Sequence, residues 1–206
     1  MTSPENYVMY YEDMTELLRP GYLPVETGYR MLPNGELFVA VHNRLLGCRA
    51  KWLDLWFGHF ETEADFQEWH PDEHFNHHWN DKWRKGHYIG AAHTARQSIG
   101  GRHAQFSTLH FEDPARMFSK EAQEQAGATI VLAYGTPGNY GDSQEKMTRF
   151  VHVARDTKLG CEIRSRFWVK TTIDFGPSLI DHVLGEFGHA SAIWQREFGK
   201  PGSPTA

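Results

Sequence analysis

Late in the chain the spacing of apolar residues changes its period once. From Pro177 to Phe198, "PSLIDHVLGEFGHASAIWQREF" sets Leu179, Val183, Phe187, Ala190 and Trp194 on one helical stripe. Pro177 suits the first turn of a helix, and Gly199 followed by Pro201 suits its stop. Everything before it looks different. "HYIGAAHTARQSIGG", "RHAQFSTLHF", "ATIVLAYG", "TRFVHVARDT" and "GCEIRSRFWVKTT" read as strands. Gly100-Gly101, "EDPAR", "TPGNYGD" and "DTKLG" separate them, and these connections are too short for parallel crossovers. Successive strands are therefore expected to pair antiparallel. "ELFVAVHN" at 36–43 reads as the first strand, and "RAKWLDLWFGHF" at 49–60 as an amphipathic helix bearing Trp52, Leu53, Trp56, Phe57 and Phe60. Residues 1–35, with Pro20-Gly21 and Pro33-Asn34-Gly35, read as an irregular N-terminal cover, and 199–206 as a flexible tail. The class that follows is α+β, one domain over 1–206. A curved antiparallel sheet grips a long C-terminal helix, with a ligand cavity between them.

Composition narrows the function. The 206 residues are 40% hydrophobic and 14% aromatic, enough for a core and too aromatic for disorder. A net charge of −5 gives no basic footprint, so nucleic acid is not an expected partner. Two cysteines without a spaced motif argue against a disulfide framework or a thiolate zinc cluster. The N-terminus has no secretory pattern and no run of 18 apolar residues occurs, which points to a soluble, cytoplasmic protein with no membrane partner. The aromatic face at 49–60 is either core or the surface of a homodimer.

Histidine is the conspicuous residue, with 13 copies. His182 and Glu186 lie four apart, beside the helical stripe rather than opposite it, so both project at the core boundary. Such a pair can bind one metal ion, and His189 lies a turn further on. The same spacing is more often a surface ion pair worth roughly a few tenths of a kcal/mol. "FQEWHPDEHFNHHWNDKW", from Phe66 to Trp83, sets His70, His74, His77 and His78 among three tryptophans. Alone it fits either a source of ligands or a packed core, and somewhat better the core. Asp72 and Glu73, beside a proline, read as solvent-facing. In "TRFVHVARDT", Phe150, His152 and Ala154 share one strand face and Val151 and Val153 the other. Ile163, Ser165, Phe167 and Val169 should face the cavity; Glu162, Arg164, Arg166, Trp168 and Lys170 should face out, with the arginines solvated or ion-paired. "SIGG" at 98–101 is a turn, not a phosphate loop, and no nucleophile elbow is present.

Taken in order, "WHPDEH" (69–74), "YIGAAHTARQSIGG" (88–101), "LHFEDPARMF" (109–118), "FVHVARDTKLGCEIRSRFWV" (150–169) and "LIDHVLGEFGH" (179–189) resemble the 2,4-diacetylphloroglucinol hydrolase family, which includes phloretin hydrolase. The "RSRFW" block and the terminal H-x-x-x-E helix are the most specific. The chain reads as a divergent, shorter member, without much of the family's N-terminal part and a segment before the last helix. The resemblance implies a Bet v 1-like helix-grip fold and a zinc ion held by two histidines and two glutamates. On this chain the ligands become His74, His182, Glu186 and, where the family has a glutamate, Gln97. A glutamine oxygen is neutral and ligates more weakly, so His93 on the same strand face is the substitute and His78 a reserve. Iron(II) also suits a His/His/Glu set with an open position. The family's catalytic-site histidine falls at His152, two family tyrosines at Phe66 and Phe167, and a family asparagine at His77. Such a cavity is poorer in hydroxyls and richer in imidazole than the family's.

The reaction implied is hydrolysis of a carbon–carbon bond next to a ketone, a retro-Claisen cleavage. The metal polarises the acyl oxygen and activates water, and His152 or His77 serves as base and then proton donor. Phe66, Trp69, Trp79, His93 and Phe167 are the expected substrate wall, and a hydrophobic, cyclic acylphenol or β-diketone the expected substrate. Two alternatives are a non-catalytic carrier of a hydrophobic metabolite and a metal-dependent oxygenase, lyase or cyclase on the same scaffold.

Overall fold

Among the described residues, alternating apolar and polar positions bounded by glycine turns produce eight strands in one sheet. The computed structural model describes residues 7–200. The strands are β1 (Gly28–Met31), β2 (Glu36–Leu46), β3 (His74–Trp79), β4 (Ala92–Gln97), β5 (Gln105–Glu112), β6 (Ala128–Pro137), β7 (Thr148–Thr157) and β8 (Gly160–Lys170). The helices are α1 (Trp52–Phe57), α2 (Glu63–Trp69), α3 (Lys120–Ala126) and α4 (Gly176–Phe198), with a 3-10 helix over Tyr11–Leu18. The sheet order is β1-β2-β8-β7-β6-β5-β4-β3, antiparallel throughout. From β3 to β8 every strand pairs with its sequence neighbour. The long-range step is β2 against β8, in register from Glu36↔Lys170 to Leu46↔Gly160.

The inner face holds α4. Leu179, Val183, Phe187, Ala190 and Trp194 are all buried, Pro177 stands in the first turn, and Gly199 caps the end. The C-terminal half of α4 is filled in by aromatics: Trp52 of α1 meets Phe198 at 6.2 Å, and Trp56 meets Trp69 at 5.7 Å. The aromatic face of the 49–60 segment is thus core within the chain. Its helix is shorter than expected, because Gly58 ends it and Phe60 is buried from the loop beyond. The N-terminal half of α4 is left standing over a cavity.

The outer face carries two corrections. "ELFVAVHN" is the second strand, because β1 precedes it inside the segment expected to be irregular. β1 is a four-residue edge strand that alternates only between intermediate and exposed. Its pairing with β2 holds it, not an apolar pattern of its own. Second, the central outer side chains of β8, Arg164, Arg166 and Trp168, are buried, the arginines being ion-paired rather than solvated, while Lys170 at the strand's end is exposed. Met9, Met14, Leu17 and Leu23 cover Phe38, Leu132, Val151, Val153 and Trp168 in a second core. Arg164 and Arg166 are 1% and 0% exposed and share one carboxylate, Glu26, at 2.7 and 3.0 Å. Arg164 also donates to the Leu17 carbonyl, and Trp168 Nε1 to the Met9 carbonyl at 2.9 Å. Of the segments read as cover and tail, residues 1–6 and 201–206 lie outside the described residues.

Removing one partner of a buried ion pair costs more than the pair contributes, since the remaining charge stays desolvated. Glu26→Ala is expected to lower the unfolding free energy by about 3–5 kcal/mol. Urea titration measures this, and an unchanged midpoint would show that Glu26 does not clamp the cover to the sheet.

Candidate metal centre

Helical spacing puts His182 and Glu186 on one side of α4, and both are buried despite their charge. Across from them, strand β3 contains a bulge between His74 and Asn76. His74 and His77 are an odd number of positions apart, so plain alternation would point them to opposite faces. The extra residue at the bulge returns both to the buried face.

The ring of His74 stacks on Phe66 with centroids 3.9 Å apart and planes at 6°. Its Nδ1 lies 2.9 Å from the Phe66 carbonyl oxygen. A carbonyl only accepts, so Nδ1 donates, and in the neutral ring Nε2 is the nitrogen that offers a lone pair. That Nε2 is buried without a hydrogen-bond partner among the described residues, 3.4 Å from Glu186 Oε1. His182 approaches the same oxygen, with Nε2 at 3.6 Å, while its Nδ1 donates to Glu73 Oε2 at 2.7 Å. One ligand atom each from His74, His182 and Glu186 lie within 4.8 Å of one another. Lone pairs brought together in a dry site repel unless a proton or a cation sits between them. The set can hold a metal ion, and the orphaned Nε2 of His74 fits that use.

Charge in the site is tightly coupled. Burial opposes a charged His182, but the Glu186 and Glu73 carboxylates outweigh it and hold the imidazole up to about 9. The hydrogen bond from His182 holds Glu73 down to about 2. Burial would raise Glu186, yet His182 keeps it well below the usual carboxylate range. Metal-free, the arrangement is a cation between two anions. Burial pushes His152 down to about 4, and His93 well below its ordinary value.

A cavity of about 450 Å³ opens beside this centre. His182, Glu186, Phe66, Trp69, His93, Gln97, His152 and Phe167 all line it. Gln97 is the cross-strand partner of His74, whereas His93 pairs with Trp79 and is not in the converging donor set. The Nδ1 of His152 is 2.8 Å from Ser165 Oγ. Two residues expected at the cavity stand behind its wall. His77 packs against Phe60, Phe66 and His93, and Trp79 against Phe60 and Trp83, its Nε1 donating to the Phe60 carbonyl. His78 and His189 are exposed.

Two residues at the centre were not anticipated. Glu73, expected to face solvent, is turned onto α4, because a tight turn brings the His74 N–H back to the His70 carbonyl at 2.9 Å. Asp72, one position earlier, is exposed as expected. His70, which the sequence assigns neither as ligand nor as base, stacks on His182 with centroids 4.9 Å apart. No spacing rule marks either one; only the turn at 70–73 does.

The raised His182 makes a pH prediction for the metal-free protein. Its stabilising contribution is complete below its ordinary value of 6.5 and is lost as pH climbs through about 9. The depressed carboxylates contribute fully above their ordinary 4.5, and that contribution is lost as pH falls toward about 2. Stability should therefore peak near pH 5–6.5 and drop on the order of 3 kcal/mol by about pH 9.5. Denaturant titrations across that range measure it, and a flat alkaline limb would show that His182 is not the buried cation.

No curated protein matches this chain. Two crystal structures of ginseng major latex-like protein 151, from Panax ginseng, are similar to it with TM-scores of 0.52 and 0.50. They share 12% and 13% identity with it, and the likeness covers 76% of this chain and 95% of each of theirs. At that identity the likeness is one of fold, the Bet v 1-like helix grip of a curved sheet around α4. The family model described as the DAPG hydrolase PhiG domain matches residues 9–193. The match reaches back through the N-terminal cover, far ahead of the first landmark at Trp69, and takes in every residue of the centre: the chain belongs to the DAPG hydrolase family.

Proposed function

We propose that this protein is a metal-dependent hydrolase that cleaves the carbon–carbon bond beside a ketone in a hydrophobic acylphenol or cyclic β-diketone. The observation that carries the metal is the convergence of His74 Nε2, buried and without a hydrogen-bond partner among the described residues, and His182 Nε2 on one buried carboxylate oxygen. The observation that carries the hydrolase is membership of the family. His74, His182 and Glu186 would hold zinc, or iron(II), with Gln97 beside His74 as the fourth, neutral donor. When bound, the ion supplies Lewis acidity toward an acyl oxygen and toward water.

The chain's own residues do the rest. Phe66, Trp69 and Phe167 form flat apolar walls that hold a ring and exclude bulk water. His152 is neutral at working pH and, unlike His77, lines the cavity. Its Nδ1 is engaged by Ser165, so Nε2 is the nitrogen left to take a proton from water and return it to the leaving carbon. Phenylalanine at 66 and 167 offers no hydroxyl to a substrate phenol, which favours substrates recognised by stacking and by the ketone.

The test joins metal analysis to a mass-spectrometric screen of acylphenols and cyclic diketones. Purified protein should carry one ion per chain and yield two products whose masses sum to substrate plus water. His182→Ala and Glu186→Ala should lose more than the roughly 10–100-fold that removing an outer partner of a metal ligand costs. Binding without turnover would make the protein a carrier. Oxygen uptake, or a product mass other than substrate plus water, would make it an oxygenase, lyase or cyclase.

A further inference from the structure

Glu73 lies outside the converging donor set, yet both of its carboxylate oxygens are in use. Oε2 takes the Nδ1–H of His182 at 2.7 Å, and Oε1 takes the backbone N–H of Gly101 at 3.0 Å. Its own carbonyl accepts the Ser98 N–H at 2.9 Å. Gly100 and Gly101 both have positive φ, and a Cβ on Gly100 would collide with the Ser178 side chain in the first turn of α4. The loop that follows β4 is pinned by Glu73 on one side and by α4 on the other. That loop brings Ile99, Arg102 and His103 into the cavity wall. A single carboxylate thus joins an imidazole of the metal centre to the wall a substrate would touch.

The His182 ring is held from a second direction. His70 stacks on it at 14° between planes. Gly185 makes room for this, since a Cβ there would come within 2.6 Å of His70 Nε2. Stacked on one face and hydrogen-bonded at Nδ1, the imidazole has little freedom to rotate or to move its proton. We propose that Glu73 is a positioning residue: it fixes His182 as the Nδ1–H tautomer, so that Nε2 is presented to the metal, and it tethers the loop over residues 98–104 to that same ring. Carboxylate partners of this kind orient ligating histidines and raise their basicity. The proposal rests on the metal reading given above.

His70, Glu73 and His182 also bring ligand atoms within 4.8 Å of one another, which raises a second cation site as the competing use. The geometry favours positioning. The Nδ1 of His182 and Oε2 of Glu73 are already paired at hydrogen-bond length, whereas the Nε2 of His74 has no partner.

The experiment titrates the full chain with zinc and with cobalt(II) against a competing chelator, in wild type, Glu73→Ala and Glu73→Gln. Amide exchange over residues 98–104 is read by mass spectrometry in the same proteins. Wild type should bind one ion. Glu73→Ala should bind it about 10–100-fold more weakly, with an altered cobalt visible spectrum and faster exchange at Gly101. Exchange in β7 and β8 should stay slow, which separates this from general destabilisation. Glu73→Gln keeps the shape and one neutral acceptor, and should fall between the two. If wild type binds an ion and Glu73→Ala binds it as tightly, the positioning role is wrong and the metal reading stands. Two ions in wild type, with one lost in Glu73→Ala, would make Glu73 a ligand instead. No ion in wild type would sink the metal reading and this proposal together. Should the alanine variant fail to fold, undiminished affinity in Glu73→Gln overturns the proposal by itself.

Discussion

A carboxylate carried into a protein interior must meet positive charge or a cation, or else stay protonated. Glu186 imposes that condition here, because it rides on the face of α4 that packs into the sheet. Much of the surrounding structure answers it. His182 comes from the same helix one turn earlier, and His74 comes from a strand whose bulge turns it inward. Glu73 balances the charge of His182 from behind. Without these partners Glu186 could enter the interior only as the protonated acid.

The outer face of the sheet solves the same problem with the signs reversed. On the inner side one imidazole lies between two carboxylates; on the outer side one carboxylate, Glu26, lies between two guanidiniums. Glu26 receives the Leu23 N–H and both arginines, which together hold it below its ordinary range against the opposing effect of burial. Ion pairs of this kind are poor sources of net stability but strong determinants of which arrangement is tolerated. They fix where the N-terminal segment crosses β8, and so leave the inner face free for α4 and a ligand. The two faces can be read along one strand: Arg164 and Arg166 point out from β8 to Glu26, while Ser165 between them points in and meets His152.

The legible parts of this architecture were those governed by a local period. The stripe from Leu179 to Trp194 was visible because a buried helix face repeats every three to four residues. The shared face of Phe150, His152 and Ala154 was visible because a strand alternates. The antiparallel order from β4 to β8 followed from connections too short for anything else, whereas β3 lies inside the 66–83 stretch, for which the sequence predicts no strand. The illegible parts had no such period. β1 is held by its neighbour rather than by its own pattern, and Arg164 and Arg166 gave no sign that a segment some 140 residues away would cover them. His77 and Trp79 lie in a histidine- and tryptophan-rich stretch that looked like cavity wall, yet Phe66 of α2 packs against His77, and Phe60 and His93 pack against Trp79.

By itself, then, the sequence determined the helix grip and the pair His182–Glu186, because hydrophobic period and helical spacing are properties of a few consecutive residues. It also carried the family landmarks that named His74 and Gln97. Only the tertiary structure decided which histidines of the 66–83 stretch face the helix, since a one-residue bulge reverses the side of every position beyond it. Only the tertiary structure placed Glu73 against His182, because that contact spans 109 positions and depends on a turn, not a motif. Charge neutralisation in a buried site is a condition on the assembled molecule, and local spacing does not encode it.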